Sequence, residues 1–597
     1  MHERNYMTLE VNSTAESNSH KTTSIPSVRN DDQTTTITEE PKEQDPTDTS
    51  TTASEEEKSS QPPLSLWSLV PITAALCASL FCMSLDGTIL ATAIPKITTQ
   101  FNSLDDVGWY GSSYMFATCS VQLIYGKLYT FYPSKWVYLI ALLIFEVGSV
   151  VCATAPNSVA LIVGRAVAGL GAAGLFSGAL IIINRLVPLR IRPVYLGLVS
   201  SMHAIASVAG PILGGVFTDR LTWRWCFYIN LPFGGFAVIL ILLCLPANSS
   251  TVIRLSWKEQ LKQFDLPGFV ILAPSIICLV LALQWGGSTY PWNSGRVIAL
   301  FVVFGVLFIV FLGIQVWQGE RATVPPRVIK NRNIWGATWY GGFMGAGMFV
   351  VIFYLPIWFQ AVKGTTAEQS GIDNLPSLVG MVLFAIIGGV ISSTVGYYTP
   401  LILISSVITS ISAGLLTTLK LNSGIGPWFG YQVLLSAGIG LGAQNMMLVA
   451  SVAVPKEDMP IATSILTFTQ ILASAIVLPI GQSVFQNQLV ANFNSLLPDV
   501  DASLVVSKGA TGFRSLFSSD QLPLALSAYN KALTQTFYVA VATSCLSIVG
   551  PIFMEWLSLK KVAAEREKSE EKENDEEKGQ AEVAQATDAK SPKGELQ

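Results

Sequence analysis

Three ionisable side chains lie inside apolar segments long enough to cross a bilayer, and charge in that environment is expensive, which makes them candidates for function. They are Asp86, Glu146 and Arg165. Counted from the residues that mark the outer ends of their segments, each lies roughly 12–15 Å from one membrane surface at 1.5 Å per residue. This depth is close to the middle of a hydrocarbon core of about 30 Å. We therefore expect a shared polar site built from three helices of one bundle.

This combination of residue types suits reversible proton binding. Removal from water disfavours a charged carboxylate, and a nearby cation favours it. If helix movement or substrate binding changes the distance between Asp86 and Arg165, the proton affinity of the carboxyl group changes with it. We favour this proton-coupling role over the alternative of a static ion pair that only joins helices. For Glu146 two interpretations stay open, proton coupling or a plain interhelical hydrogen bond.

Gly210, Pro211, Gly214 and Gly215 stand near one end of the apolar segment 200–217. Proline removes a backbone donor and clashes with the carbonyl four residues back, and in a membrane neighbouring helices can satisfy the freed group. The glycines leave flat surfaces on which another helix can approach closely. We predict a bent helix packed tightly against a partner, where it acts as a seal or pivot. A generic small-residue packing face is the alternative.

The composition indicates a membrane protein. Of the 597 residues, 50% are hydrophobic and 13% are charged, which is too little charge to cover a soluble protein of this size. The eight cysteines form no CxxC pair, which favours packing over a disulfide framework or a metal site. No GxxxxGK[ST], GxSxG or HExxH pattern occurs, so neither ATP drive nor enzymatic activity is expected. There is no basic stripe that would indicate nucleic acid.

We predict an all-α integral membrane protein with fourteen transmembrane helices in a six–two–six arrangement. The expected spans are 70–94, 107–126, 136–155, 158–184, 194–217, 226–246, 266–284, 297–317, 335–359, 373–394, 398–419, 429–453, 460–484 and 534–557. Lys and Arg concentrate in the loops of one side, and the positive-inside rule makes that side cytoplasmic, together with both tails.

The spans divide the chain into regions of different character. The expected regions are a disordered tail at 1–66, a six-helix bundle at 67–260, two inserted helices at 261–320, a second six-helix bundle at 321–557 with an extracellular loop at about 485–533, and a charged tail at 558–597.

Seven stretches stand in this order along the chain: LDGTILATAIP, FEVGS, GRAVAGLGAAG, WRWCFYINLP, LALQWGG, YLPIWFQAVKG and GYQVLLSAGIGLGAQ. Together they resemble the fourteen-span drug:proton antiporter branch of the major facilitator superfamily, in its fungal toxin and multidrug efflux form. The segment around Gly210 is similar to the GPxxGG antiporter motif of that branch, with Ala206 where the family usually has a further glycine. The resemblance covers about residues 67–557.

The resemblance implies a major facilitator fold and proton-coupled export of small amphipathic organic compounds, such as drugs, fungicides or mycotoxins. It implies a monomer in the plasma membrane, or alternatively in a vacuolar or vesicle membrane, that is driven by the proton gradient and needs no cofactor. The alternative function is a vacuolar or plasma-membrane carrier for amino acids or siderophores. A non-transporting membrane sensor is the more distant alternative.

The loop after the second span is the gating loop of this family. Here it retains Gly126, Lys127 and Lys135, but Thr130 stands at the usual acidic position and Phe131 where a basic residue is common. The family's charge relay therefore cannot work in its usual form in this chain. The candidate substrate contacts are Gln284, Gln360, Gln444 and Asn445.

Overall fold

The computed structural model describes residues 66–101, 106–189, 191–246, 265–287, 290–498, 505, 513–565 and 568–569. The predicted N-terminal tail and most of the charged C-terminal tail lie outside these residues. The described part of the chain is helical, with two isolated β-bridges and no strand.

Fourteen long helices account for most of the described chain. They are α1 (Leu66–Phe101), α2 (Val107–Phe131), α3 (Ser134–Ala153), α4 (Ser158–Leu186), α5 (Arg192–Arg220), α6 (Asn230–Cys244, after the helical turn Trp225–Tyr228), α7 (Leu266–Trp285), α8 (Gly295–Gln318), α9 (Arg332–Trp358), α10 (Leu375–Val395), α11 (Thr399–Leu416), α12 (Ile425–Val452), α13 (Met459–Leu496) and α14 (Leu522–Ser547).

The predicted count of fourteen membrane spans is not confirmed. Among the described residues twelve helices are long and apolar enough to cross a membrane, or thirteen if the bent helix α5 is one span. Helix α2 is long enough but is not among them. Its polar side chains, such as Gln122 and Lys127, are buried against other helices. A helix shielded from lipid can carry polar residues that a hydropathy criterion penalises.

The two helices that flank the predicted extracellular loop at 485–533 extend into it. Helix α13 continues to Leu496 and α14 starts at Leu522. These extensions are held by protein contacts, since Phe493 is fully buried and the ring of Phe513 stacks on that of Tyr529 at 4.5 Å. Polar residues such as Asn487 and Lys531 interrupt these stretches, so hydropathy alone ends the apolar segments before them.

Helix contacts form two groups that meet along a central seam. In the first group α3 packs on α4, α1 on α5 and α2 on α4; in the second, α10 and α11 pack on α12, and α13 and α14 pack on α9. The groups meet where α2 contacts α13 and where α5 contacts α10. The inserted helices α7 and α8 pack on each other, and α7 also contacts α2 and α13. The seam therefore brings three parts of the chain together.

Candidate functional site

Asp86 and Arg165 form an ion pair between α1 and α4, and their side chains are 0% and 2% exposed. The guanidinium of Arg165 also donates through Nε to the carbonyl of Tyr110 at 2.9 Å, and it lies 4.4 Å from the ring centroid of Tyr114. Both tyrosines belong to α2. The cation is therefore fixed by α2 as well as by its carboxylate partner on α1.

Asn230 adds a further contact to this carboxylate, and sequence reasoning did not single it out. Its Nδ2 lies 3.5 Å from Asp86 Oδ1 and donates to Ser149 Oγ at 3.0 Å. Its side chain is fully buried at the start of α6. The sequence feature that could have identified Asn230 is the stretch WRWCFYINLP, in which it is the polar residue of an otherwise apolar turn. The polar cluster thus draws on α1, α2, α3, α4 and α6.

Glu146 lies beside this cluster but outside the ion pair. Its carboxylate is buried against Gly234 of α6, and neither of its oxygens has a hydrogen-bond partner among the described residues. It is close enough to Asp86 for the two carboxylates to interact electrostatically. The structure therefore brings two of the three predicted charges into contact and leaves the third as a separate acidic group nearby.

The glycines of α5 divide into two kinds. Gly210 lies directly against the side chain of Thr88, and Gly214 against Thr92, both on α1. The Thr88 hydroxyl also donates to the carbonyl of Ala206 at 3.0 Å. A Cβ at Gly215, by contrast, would meet nothing within 4 Å.

Close approach on this face of α5 thus depends on Gly210 and Gly214 and not on Gly215. The helix is bent by 42° between the stretches Arg192–Ser207 and Ile212–Thr218. Pro211 falls at this bend, and its side chain lies outside the described residues.

The three gating-loop residues make different contacts. Gly126 faces α13, where a Cβ would be 2.9 Å from Ser464 Oγ. Lys127 is buried and donates to the carbonyl of Arg321 at 3.2 Å. Lys135 donates to two carbonyls that end α6, at 2.8 Å each. Gly126 and Lys127 therefore connect the first helix group to other parts of the chain, whereas Lys135 caps a helix of its own group.

The linker that precedes α9 carries a second ionic link on the same side. Arg327 donates to both carboxylate oxygens of Asp458, at 2.9 and 2.7 Å, and approaches Glu320 at 3.3 Å. The hydrogen-bonded carboxylate of Asp458 raises the pKa of Arg327. Because Arg321 is the residue that accepts from Lys127, the gating loop and the start of α13 are connected through this linker.

Gln122 provides a buried polar bridge across the seam, and no sequence motif singled it out. Its Nε2 donates to Ser177 Oγ of α4 at 2.5 Å and to Thr467 Oγ1 of α13 at 2.8 Å. The side chain is fully buried. Together with the contact of Gly126 on Ser464, this bridge closes the seam at the gating-loop end of the molecule.

Replacing Gln122 with leucine should loosen this closure. The change keeps the volume but removes two hydrogen bonds, and a net loss near 1 kcal/mol shifts a two-state equilibrium roughly 5–10-fold toward the state open at the gating loop. Maleimide labelling of Ser464→Cys in a cysteine-free background measures this, since Ser464 is 1% exposed while the seam is closed. An unchanged labelling rate would show that the bridge does not hold the seam.

A cavity of about 310 Å³ lies along the seam, on the side away from the gating loop. Gly111 of α2 borders it, and fifteen residues separate Gly111 from Gly126, about 22 Å along a helix. Helices α7, α9 and α13 form the other walls. The closed end and the cavity therefore lie at opposite ends of the same interface.

The four candidate substrate residues are not equivalent. Gln284 borders the cavity. Gln444 is buried, and its Oε1 has no partner among the described residues. Asn445 accepts from Ser392 and donates to the carbonyl of Leu441, so its amide joins α10 to α12. Gln360 is half-buried in the π-helical turn after α9 and does not border this cavity.

Comparison with known proteins identifies the family. The model described as Major Facilitator Superfamily matches residues 76–478. The chain belongs to this superfamily, as the sequence motifs predicted, and the expectation of a transporter family rather than an enzyme family is confirmed.

Fungal relatives match over most of their length. The efflux pump roqT of Penicillium rubens is 50% identical over 501 residues, which cover 84% of this chain and 93% of the relative. The MFS-type transporter astH of Aspergillus oryzae is 50% identical over 496 residues, covering 83% and 88%. The efflux pump aunC of Aspergillus niger (strain ATCC 1015) is 49% identical over 496 residues, covering 83% and 94%.

Solved structures support the fold alone. The human organic anion transporter MFSD10 covers 81% of this chain and 100% of its own, with a TM-score of 0.51 and 13% identity. The proton:xylose symporter XylE covers 83% and 99%, with a TM-score of 0.51 and 14% identity. Both similarities agree with an all-helical, multi-pass major facilitator fold.

Proposed function

We propose that this protein is a proton-coupled secondary active exporter of small amphipathic organic compounds. The observation that carries the proposal is the buried ion pair of Asp86 and Arg165, which helix α2 connects to a cavity on the seam between the two helix groups. The similarity to fungal relatives named efflux pumps supports the outward direction. The exporter would work as a monomer and use the proton gradient without a cofactor.

Helix α2 gives this proposal a physical route for coupling. Tyr110 and Tyr114 contact Arg165, while the adjacent residues Gly111 and Met115 border the cavity. Substrate that displaces α2 would therefore move the cation that stabilises the Asp86 carboxylate. When the cation withdraws, the carboxylate gains proton affinity, and when it returns the proton is released.

We propose that the protein lies in the plasma membrane, with the gating loop and both tails in the cytoplasm. We expect Ser519→Cys, after α13, to react with an impermeant maleimide in intact cells. Glu457→Cys, between α12 and α13, should react only after permeabilisation. Both positions are exposed, so the comparison depends on sidedness. The reverse labelling pattern would overturn this topology, and labelling confined to isolated vacuoles would move the protein to that membrane.

Export can be tested in yeast cells that lack their own drug exporters. The protein should lower the accumulation of at least one fungicide or secondary metabolite in a panel, and a protonophore should abolish the effect. Increased accumulation would favour the alternative of an uptake carrier for amino acids or siderophores. A change in accumulation that is the same with and without the protonophore would contradict proton coupling.

A further inference from the structure

The walls of the seam cavity combine apolar surface with neutral hydrogen-bonding groups. Its polar side chains are Ser112 on α2, Gln284 on α7, and Gln482, Ser483 and Gln486 on α13. No acidic or basic side chain borders it among the described residues. The cation of Arg165 does not border the cavity and is neutralised by its own carboxylate partner. The cavity therefore offers hydrogen bonds without a net charge.

Gln482 is oriented by the protein. Its Oε1 accepts a hydrogen bond from the Tyr354 hydroxyl at 2.9 Å, and the side chain of Tyr354 is fully buried on α9. A carboxamide carries one acceptor oxygen and two N–H donors. With the oxygen engaged, Nε2 is the part of Gln482 that can donate to a molecule in the cavity.

A backbone acceptor lies about two turns away on the same helix. Pro479 is inside α13 and has no N–H, so the carbonyl of Ala475 lacks the helical donor that a residue four positions later would supply. Both residues border the cavity. Gln482 Nε2 and the carbonyl that lacks a helical donor thus belong to one wall of the cavity, which the apolar side chains of Met115 and Phe353 also border.

Resting on the proposed export function, we propose that this cavity selects uncharged molecules in which a rigid apolar ring system carries both a carbonyl acceptor and an N–H or O–H donor. Gln482 donates to the carbonyl of the bound molecule. The N–H or O–H of that molecule donates to the backbone carbonyl of Ala475 or to the side chain of Gln486. An organic cation has no counter-charge here, and a buried unpaired charge is strongly disfavoured. Tyr354 acts as a positioning residue for Gln482.

Three fluorescent tricyclic probes of similar size separate these features. Acridone is neutral and has both a carbonyl and an N–H, N-methylacridone keeps only the carbonyl, and N-methylacridinium is a cation. Binding is measured on the purified full-length protein by fluorescence titration without a gradient, so it does not depend on transport. We expect acridone to bind about tenfold more tightly than N-methylacridone, as expected for the loss of one neutral hydrogen bond, and N-methylacridinium not to compete.

Variants of α13 test the assigned donor. Gln482→Leu should weaken acridone binding about tenfold, and Tyr354→Phe should weaken it less. Gln482→Glu should reverse the preference by admitting N-methylacridinium. Gln488→Leu is the matched control, because it makes the same change on the same helix outside the cavity.

Each outcome bears on the proposal. Equal binding of acridone and N-methylacridinium by the unmodified protein would overturn it, and so would the absence of saturable acridone binding or an unchanged affinity in Gln482→Leu. Selective, Gln482-dependent binding in a protein that shows no proton-driven export in vesicles would uphold this specificity and refute the export proposal. The two failures are therefore distinguishable.

Discussion

We expect Asp86→Asn to abolish accumulation of substrate against a gradient while substrate exchange at equilibrium survives. Asparagine keeps the shape and the hydrogen bonding of the side chain but cannot take up and release a proton. Asp86 is fully buried against Arg165 and lies within reach of Asn230, so the neutral side chain still finds partners. The measurement is substrate-driven proton movement in reconstituted vesicles.

Glu146→Gln is the comparison variant, because it neutralises a neighbouring buried carboxylate that is not part of the ion pair. If the pair is only structural, a different pattern follows. Removing one partner would then cost about 3–5 kcal/mol of stability, and Asp86→Asn combined with Arg165→Gln would restore folded protein. Full proton coupling in well-folded Asp86→Asn would rule out Asp86 as the proton carrier and make Glu146 the next residue to test.

Gly210→Leu should reduce export by at least about tenfold while the amount of protein at the membrane is unchanged. Even a Cβ at this position collides with the side chain of Thr88, so a leucine forces α1 and α5 apart. Inserting such a group into a packed interface costs about 1–3 kcal/mol, which is enough to displace the equilibrium between conformations. Transport assays with quantified surface expression measure the effect.

Gly215→Leu is the control, since the space around that glycine is open, and it should transport like the unmodified protein. Because Thr88 is the first obstacle to a side chain at position 210, Thr88→Ala should partly rescue Gly210→Ala. If Gly210→Leu and Gly215→Leu impair transport equally, close packing of α1 on α5 is not the cause. Normal transport by Gly210→Leu would refute the hypothesis that this face of α5 forms a seal against α1.

The sequence by itself determined the class of fold, the family and the positions of most helices. Apolar segments of bilayer length and an ordered set of local motifs are properties of contiguous residues, so they can be read without knowing which helices touch. The same holds for Asp86 and Arg165, whose burial followed from their apolar surroundings. Their contact remained an expectation, because depth along a helix does not fix the direction in which a side chain points.

Tertiary structure decided which of the suggested residues share a surface. Gly210 and Gly215 look alike in the sequence, yet only Gly210 lies against another helix. Asn445 was predicted to contact substrate, and only the structure shows that its amide joins two helices. Gln122 and Gln482 became visible only through partners on distant helices, at 2.8 and 2.9 Å. The physical reason is that polar side chains in a membrane protein are used wherever two helices meet, and the pairing of helices is set by long-range packing.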